Sequence, residues 1–318
     1  MQLFDSHCHL NFSFFKNDYK KIISDCLNKK IGIINIGTQI DTSKKAVEIA
    51  NEYLNDLVFA SIGLHPIHSS GTEIDEEEIK FRSREEIFNP EKYQELLDED
   101  KNKKIIAVGE IGLDYFHTPE IHPVKSSKAG QPKAEFDKVK EKQKQGFVEQ
   151  LKFAKKNNLP IILHARGSKE NPEDAYLDLL KILKTSSFAK ATADRHSSPV
   201  GFFSGEGGLS AGVIHCFGSN LKIAKNFLDL GFYIGFTGII SFKNKSVNEL
   251  REVVKVVPLN KILVETDSPY LTPEPFRGEK NKPQNVEFVA RKIAEIKNVS
   301  FEKVCEQTTK NVKRLLKI

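Results

Sequence analysis

The sequence predicts a (β/α)8 barrel, and three observations carry that prediction. Short apolar runs rich in β-branched and aromatic residues recur along the chain, at Leu3–Phe4, Ile31–Ile36, Leu57–Leu64, Ile105–Val108, Ile161–Leu163, Val213–Ile214, Phe232–Phe236 and Ile262–Val264. Runs of this length and composition read as strands buried in a sheet. Amphipathic, charged segments separate them, near 18–29, 41–54, 90–100, 135–157, 172–184, 219–230 and 246–256, with two more at 284–297 and 300–317. Strands that alternate with helices imply an all-parallel sheet, and eight such units close economically into a barrel. The third observation is an absence: no glycine-rich nucleotide fingerprint follows an early strand, as an open doubly wound sheet, the alternative fold, would often show.

Composition narrows the class. Of 318 residues, 39% are hydrophobic and 29% charged, a balance expected of a globular chain rather than a disordered or membrane one. No apolar run approaches the ~18 residues of a membrane span. The amino terminus, MQLFDSHCHL, lacks a cationic stretch followed by an apolar one, so a secretory leader is not expected. Cys8, Cys26, Cys216 and Cys305 are scattered without a CxxC pair, which fits free thiols and a cytoplasmic location. The net charge of +5 is compatible with a polyanionic substrate.

One domain over 1–318 is expected, with three insertions. Ile67–Pro90 is acidic, His117–Ala134 carries three prolines and several lysines, and Thr185–Ser210 is rich in Ser and Gly. All three read as solvated loops. The first two follow strands and so belong to the barrel face that carries active sites; the third follows a helix and belongs to the opposite face.

The chemistry lies at the strand ends. His7 and His9 are two apart at the end of the first strand, and a period of two puts both rings on one face, with Leu3 and Asp5 expected beneath them. Glu110 follows the fourth strand, His164 and His215 end the fifth and sixth, and Asp267 follows the eighth. In a barrel these ends converge on one rim. Imidazoles and carboxylates without thiolates suit Zn²⁺, Mn²⁺ or a similar divalent ion. Six such residues exceed what one ion needs and suit two ions ~3.5–4 Å apart with a bridging carboxylate.

The motifs DSHCHL (5–10), GLHP (63–66), GEIGLDY (109–115), LHAR (163–166), IHCF (214–217), ETDSPYLTP (265–273) and RGEKNKP (277–283) resemble, in order, those of the TatD family of metal-dependent deoxyribonucleases. Departures are small: Ala165 stands where Ser is common and Lys280 where Arg is common. The resemblance implies an amidohydrolase-type TIM barrel, with DNA as substrate and 3′–5′ exonucleolytic cleavage of its phosphodiester bonds. It also implies one ion on His7, His9, Glu110 and Asp267 and a second on Glu110, His164 and His215, the metal being Mg²⁺, Mn²⁺ or Zn²⁺.

Several further roles are expected. Asp267 is read as ligand and general base, and Glu110 as the bridging catalytic carboxylate. His65 and Arg166 are read as groups that meet the substrate phosphate. Asp5 and Glu265 are read as acceptors for ligand imidazoles. Asp114 and Tyr115 are expected to brace a loop, Cys8 and Cys216 to pack outward, and His68, His117, His122 and His196 to lie at the surface. No obligate protein partner and no membrane contact are expected. Competing readings are hydrolysis of another ester or amide at the same site, a binding module without turnover, and a single-metal deaminase.

Overall fold

The computed structural model describes residues 2–54, 57–69, 73–76, 79–82, 84–117, 131–185 and 212–318. In chain order the elements are β1 (Leu3–Cys8), α1 (Tyr19–Asn28), β2 (Ile31–Ile36), α2 (Ile40–Asn51), β3 (Val58–Ile62), β4 (Glu73–Glu76), β5 (Ile79–Arg82), α3 (Pro90–Glu99), β6 (Ile105–Asp114) and α4 (Gln131–Lys156). They continue with β7 (Ile161–Arg166), α5 (Asp174–Thr185), β8 (Val213–Ile214), α6 (Leu221–Asp229), β9 (Tyr233–Phe236), α7 (Asn248–Val256), β10 (Ile262–Val264), α8 (Val286–Lys297) and α9 (Phe301–Leu316). Eight strands form one parallel sheet in the order β1-β2-β3-β6-β7-β8-β9-β10, and the bridge pair Cys8↔Ser268 joins its two ends. The expected barrel is the observed fold, and each expected strand and helix has a counterpart. No helix among the described residues is long and apolar enough to cross a membrane.

Two apolar layers explain the closure. Outside the sheet, strand residues such as Leu3, Ile33, Val58, Leu163 and Ile234 share a core with Ile23, Ala46, Leu179, Val253 and Val289 of the surrounding helices. Inside the barrel, Phe4, Ile34, Ile106, Ile162, Val213, Tyr233 and Leu263 pack together, and Val312, Leu315 and Leu316 of α9 join them. The apolar filling lies below the carboxyl ends of the strands, where the site lies.

Three expectations are corrected here. Strict alternation along β1 puts Leu3 beneath His7, yet Leu3 packs outward and Phe4 inward. The β1–β2 register shifts between Asp5 and Cys8, and this bulge reverses the parity of the strand so that the imidazoles still face inward. β6 runs past Val108 to Asp114, since it keeps pairing with β7 as far as Asp114↔Arg166. The stretch 67–90 is not loop throughout. Glu73–Glu76 and Ile79–Arg82 form an antiparallel pair whose register opposes Glu73 to Arg82, Ile74 to Phe81, Asp75 to Lys80 and Glu76 to Ile79. The stretches 118–130 and 186–211, which hold most of the other two expected insertions along with His122 and His196, lie outside the described residues.

Candidate metal centre

Glu110 is at the centre of the strand-end cluster. Its Oε2 lies 3.4 Å from His7 Nε2 and 3.9 Å from His9 Nε2, while its Oε1 lies 2.7 Å from His164 Nδ1 and 3.6 Å from His215 Nε2. Asp267 Oδ1 closes the first side, 3.7 Å from His7 Nε2 and 3.4 Å from His9 Nε2. The structure thus brings all six expected ligand residues together. Within them, His7, His9 and Asp267 form one compact donor set, and Glu110, His164 and His215 form a second.

The donor chemistry fits divalent cations. His9 Nδ1 is 3.0 Å from Ile36 O, and His215 Nδ1 is 3.0 Å from Glu265 Oε1. Donation from Nδ1 in each ring leaves the Nε2 lone pair directed into the cluster. Lone pairs and carboxylate oxygens that face one another repel unless a cation or a proton lies among them, so the set suits metal ligation with outer carboxylate or carbonyl partners fixing the rings.

The fields inside the cluster follow from its composition. Burial would raise the Glu110 carboxyl, but His65, His215 and His7 around it hold it well below the usual range. Asp267 is lowered for the same reason: burial opposes, and His215, His9 and His7 prevail. Among the protein's own charges, His7 is pushed down to about 4 by burial and by His215. Burial also opposes protonation of His164 and His215. Asp114 and Glu110 nevertheless push His164 up to about 9, and Glu265, Glu110 and Asp267 push His215 up to about 10.

Asp267 and Cys216 occupy the left-handed backbone region, with φ of 58° and 43°. Such conformations are uncommon without glycine and concentrate at functional sites. Asp267 is held there by its N–H, which donates to His7 O at 2.8 Å.

The supporting residues divide into two groups. Glu265 Oε1 accepts from His215 Nδ1 and from the Cys216 N–H, at 3.0 and 2.5 Å. Asp5 does not reach a ligand imidazole. Its carboxylate accepts from Thr266 N at 2.8 Å and Thr266 Oγ1 at 2.5 Å, because the β1 bulge turns it toward the end of β10. His65 is 7% exposed. Its Nδ1 accepts from Ile67 N–H at 3.2 Å, which places the proton on Nε2, 3.4 Å from Glu110 Oε1. Arg166 lies at the rim, half-buried, with its guanidinium over the Phe116 ring at 3.9 Å.

Two participants escaped the sequence reading. Asp114 Oδ2 lies 3.1 Å from His164 Nε2, on the opposite edge of that ring from Glu110. The same oxygen lies 2.8 Å from His117 Nδ1, and His117 Nε2 lies 3.3 Å from Arg166 Nη1. His117, its side chain 15% exposed, is therefore tied into the site rather than a free surface residue, and His68, 5% exposed, is buried. A period-two count from Glu110 would have found Asp114, with Gly112 between them at φ 145°. A Cβ at Gly112 would stand 2.0 Å from His164 O, so glycine lets the two strands approach there.

The profile of the family described as TatD related DNase matches residues 4–317. A Bacillus subtilis protein described as an uncharacterized metal-dependent hydrolase, YabD, is 33% identical over 317 residues, covering 99% of each chain. Its counterpart YcfH of Escherichia coli K12, described in the same words, is 31% identical, covering 100% of this chain and 97% of its own. The crystal structure of YJJV, a TatD homologue from Escherichia coli, superposes with a TM-score of 0.71 at 25% identity, covering 99% of this chain and 98% of its own. With donor sets suited to metal at the strand ends and matches that span nearly every residue, the chain belongs to the TatD family of metal-dependent hydrolases.

Proposed function

We propose that the protein hydrolyses phosphodiester bonds of DNA, as a 3′–5′ exonuclease, at a centre that holds two divalent cations. The observation that carries this reading is the divided carboxylate of Glu110, one oxygen facing His7 and His9 and the other facing His164 and His215. His7, His9, Glu110 and Asp267 would hold one ion, and Glu110, His164 and His215 the other. Ions held there would polarise a phosphoryl oxygen and lower the pKa of an attacking water toward ~7. The metal would be Mg²⁺, Mn²⁺ or Zn²⁺.

The chain's own groups have distinct tasks. Asp267 takes the proton of the attacking water; its side chain is 15% exposed against 4% for Glu110, so it is the carboxylate that a substrate meets. The Arg166 guanidinium neutralises a phosphate oxygen from the rim. His65, protonated on Nε2, steadies Glu110 Oε1. A cysteine nucleophile is disfavoured, since burial pushes the thiols of Cys8 and Cys216 well up.

The test is cleavage of end-labelled single- and double-stranded DNA by metal-stripped protein, with Mg²⁺, Mn²⁺ or Zn²⁺ restored separately. The reading expects cleavage only with metal, stepwise from the 3′ end. Hydrolysis of simple esters or amides without any cleavage of DNA would replace it with a different hydrolase at the same site.

A further inference from the structure

β3 and β6 separate near the rim of the barrel. Their last paired residues are Ile62 and Val108, while β6 continues beside β7 as far as Asp114. Past that point the backbones of Leu64 and Asp114 border a wedge between the two strands. Other site segments are held by backbone bonds from strands or their extensions: His215 N donates to Leu163 O of the adjacent β7 at 2.9 Å, and Glu110 N to Gly37 O, just past β2, at 3.0 Å. In the wedge, two side chains of α4 take the place of a strand.

Gln150 Oε1 accepts from Leu64 N at 2.7 Å, and its Nε2 donates to Leu64 O at 3.0 Å. Gln143 repeats the arrangement: Oε1 accepts from Asp114 N at 2.8 Å, and Nε2 donates to Asp114 O at 2.7 Å. Both amides are buried, at 2% and 3% exposure. They stand seven residues apart, about two helical turns, and so share one face of α4. A side-chain amide carries the same carbonyl and N–H as a peptide, so each glutamine reproduces the two-bond exchange of a paired strand residue.

What they hold gives these contacts a functional meaning. Gln143 grips the residue whose carboxylate orients His164. Gln150 grips the residue before His65, which faces Glu110. We propose that Gln143 and Gln150 are positioning residues for the hydrolytic centre, Gln143 acting through Asp114 on His164 and Gln150 acting through His65 on Glu110. The proposal rests on the metal-dependent reading of the site and adds a helix that aligns two of its segments with one rigid face.

The experiment is a crossed double-mutant analysis with Gln143→Met and Gln150→Met, which remove both hydrogen bonds while keeping an unbranched, helix-compatible side chain. Mn²⁺ is titrated calorimetrically into chelator-treated protein, and hydrolysis of bis(p-nitrophenyl) phosphate is followed with Mn²⁺ saturating. Gln143→Met should weaken one Mn²⁺ site about tenfold, with no further loss in an Asp114→Asn background. Gln150→Met should weaken Mn²⁺ binding on Glu110 and lower kcat about tenfold, with no further loss of either in a His65→Ala background. The crossed pairs, Gln143 with His65 and Gln150 with Asp114, should be additive.

Additivity in the direct pairs would overturn the proposal, as would variants that lose thermal stability while metal affinity and kcat stay at the parent's values. Should a methionine variant melt below assay temperature, Gln143→Glu and Gln150→Glu keep the bond from the N–H, lose the one to the C=O, and allow the same cycles. The calorimetric arm needs no substrate. Failure of the phosphodiesterase reading would therefore show as absent turnover with the Mn²⁺ coupling of Gln143 intact.

Discussion

The carboxylate of Glu265 lies against the backbone of Gly235 while it accepts from His215. A Cβ at residue 235 would stand 2.6 Å from both Glu265 oxygens. The glycine thus gives the acceptor room to fix the His215 tautomer. Gly235→Ala should displace Glu265 and lower affinity for the ion on His215 by about 10–100-fold. The overpacking should cost about 1–3 kcal/mol of stability. Metal titration and urea unfolding measure the two effects. Parent-like affinity in this variant would mean that Glu265 does not govern the His215 imidazole.

Glu110 is the residue that the two donor sets share, and its removal should be felt on both sides. After dialysis against dilute Zn²⁺, Glu110→Gln should retain fewer than about one ion per chain, whereas His215→Ala should retain about one. Elemental analysis of the purified variants decides the matter. A Glu110→Gln protein that keeps two ions would remove the bridging role.

The scaffold was legible because its strands are short apolar runs buried on both faces, and such runs announce themselves without any tertiary information. The ligand residues were legible because they end those runs. What escaped depends on irregularity or on neighbours. Beyond Val108 the strand β6 reads Gly-Glu-Ile-Gly-Leu-Asp, and glycine and acidic residues are poor strand formers. Pairing with β7 carries the strand to Asp114 regardless. The bulge after Asp5 is invisible in a period-two count, which therefore sets Leu3 and Asp5 on the wrong face. His117 looks like any loop histidine until the fold sets it on Asp114.

The pH dependence of metal binding follows from the two raised imidazoles. In metal-free protein His164 titrates near 9 and His215 near 10, against an ordinary 6.5. Raised folded-state values mean that these histidines add stability fully below about pH 6.5 and that this contribution disappears as pH rises through 9 to 10. Metal-free protein should therefore lose melting temperature between pH 7 and 10. Binding an ion requires the neutral ring, so at pH 7 loading should expel roughly two protons, and affinity should rise with pH. Calorimetry in two buffers of different ionisation enthalpy counts the protons. A count near zero at pH 7 would show that His164 and His215 are already neutral in the metal-free protein.

The last prediction concerns Arg166 and the residues that orient it. Its guanidinium carbon lies 3.9 Å over the Phe116 ring and its Nη1 3.3 Å from His117 Nε2, and His117 is in turn fixed by Asp114, which accepts from its backbone N–H at 3.0 Å and from its ring at 2.8 Å. Two contacts thus restrain the guanidinium, whose planar fork suits a phosphate approached through two parallel N–H groups. A lysine keeps the charge and loses the plane. Arg166→Lys should accordingly raise KM for DNA about tenfold with bound metal unchanged, a difference of ~1.4 kcal/mol. His117→Ala should produce a smaller rise in KM, because Phe116 still supports the guanidinium. Neither variant should lower kcat as far as Glu110→Gln does, since neither touches the donor sets. Steady-state kinetics at fixed salt, alongside elemental analysis, separates the two parameters. A His117→Ala enzyme with unaltered KM and a much lower kcat would place His117 in the chemical step and remove it from phosphate binding.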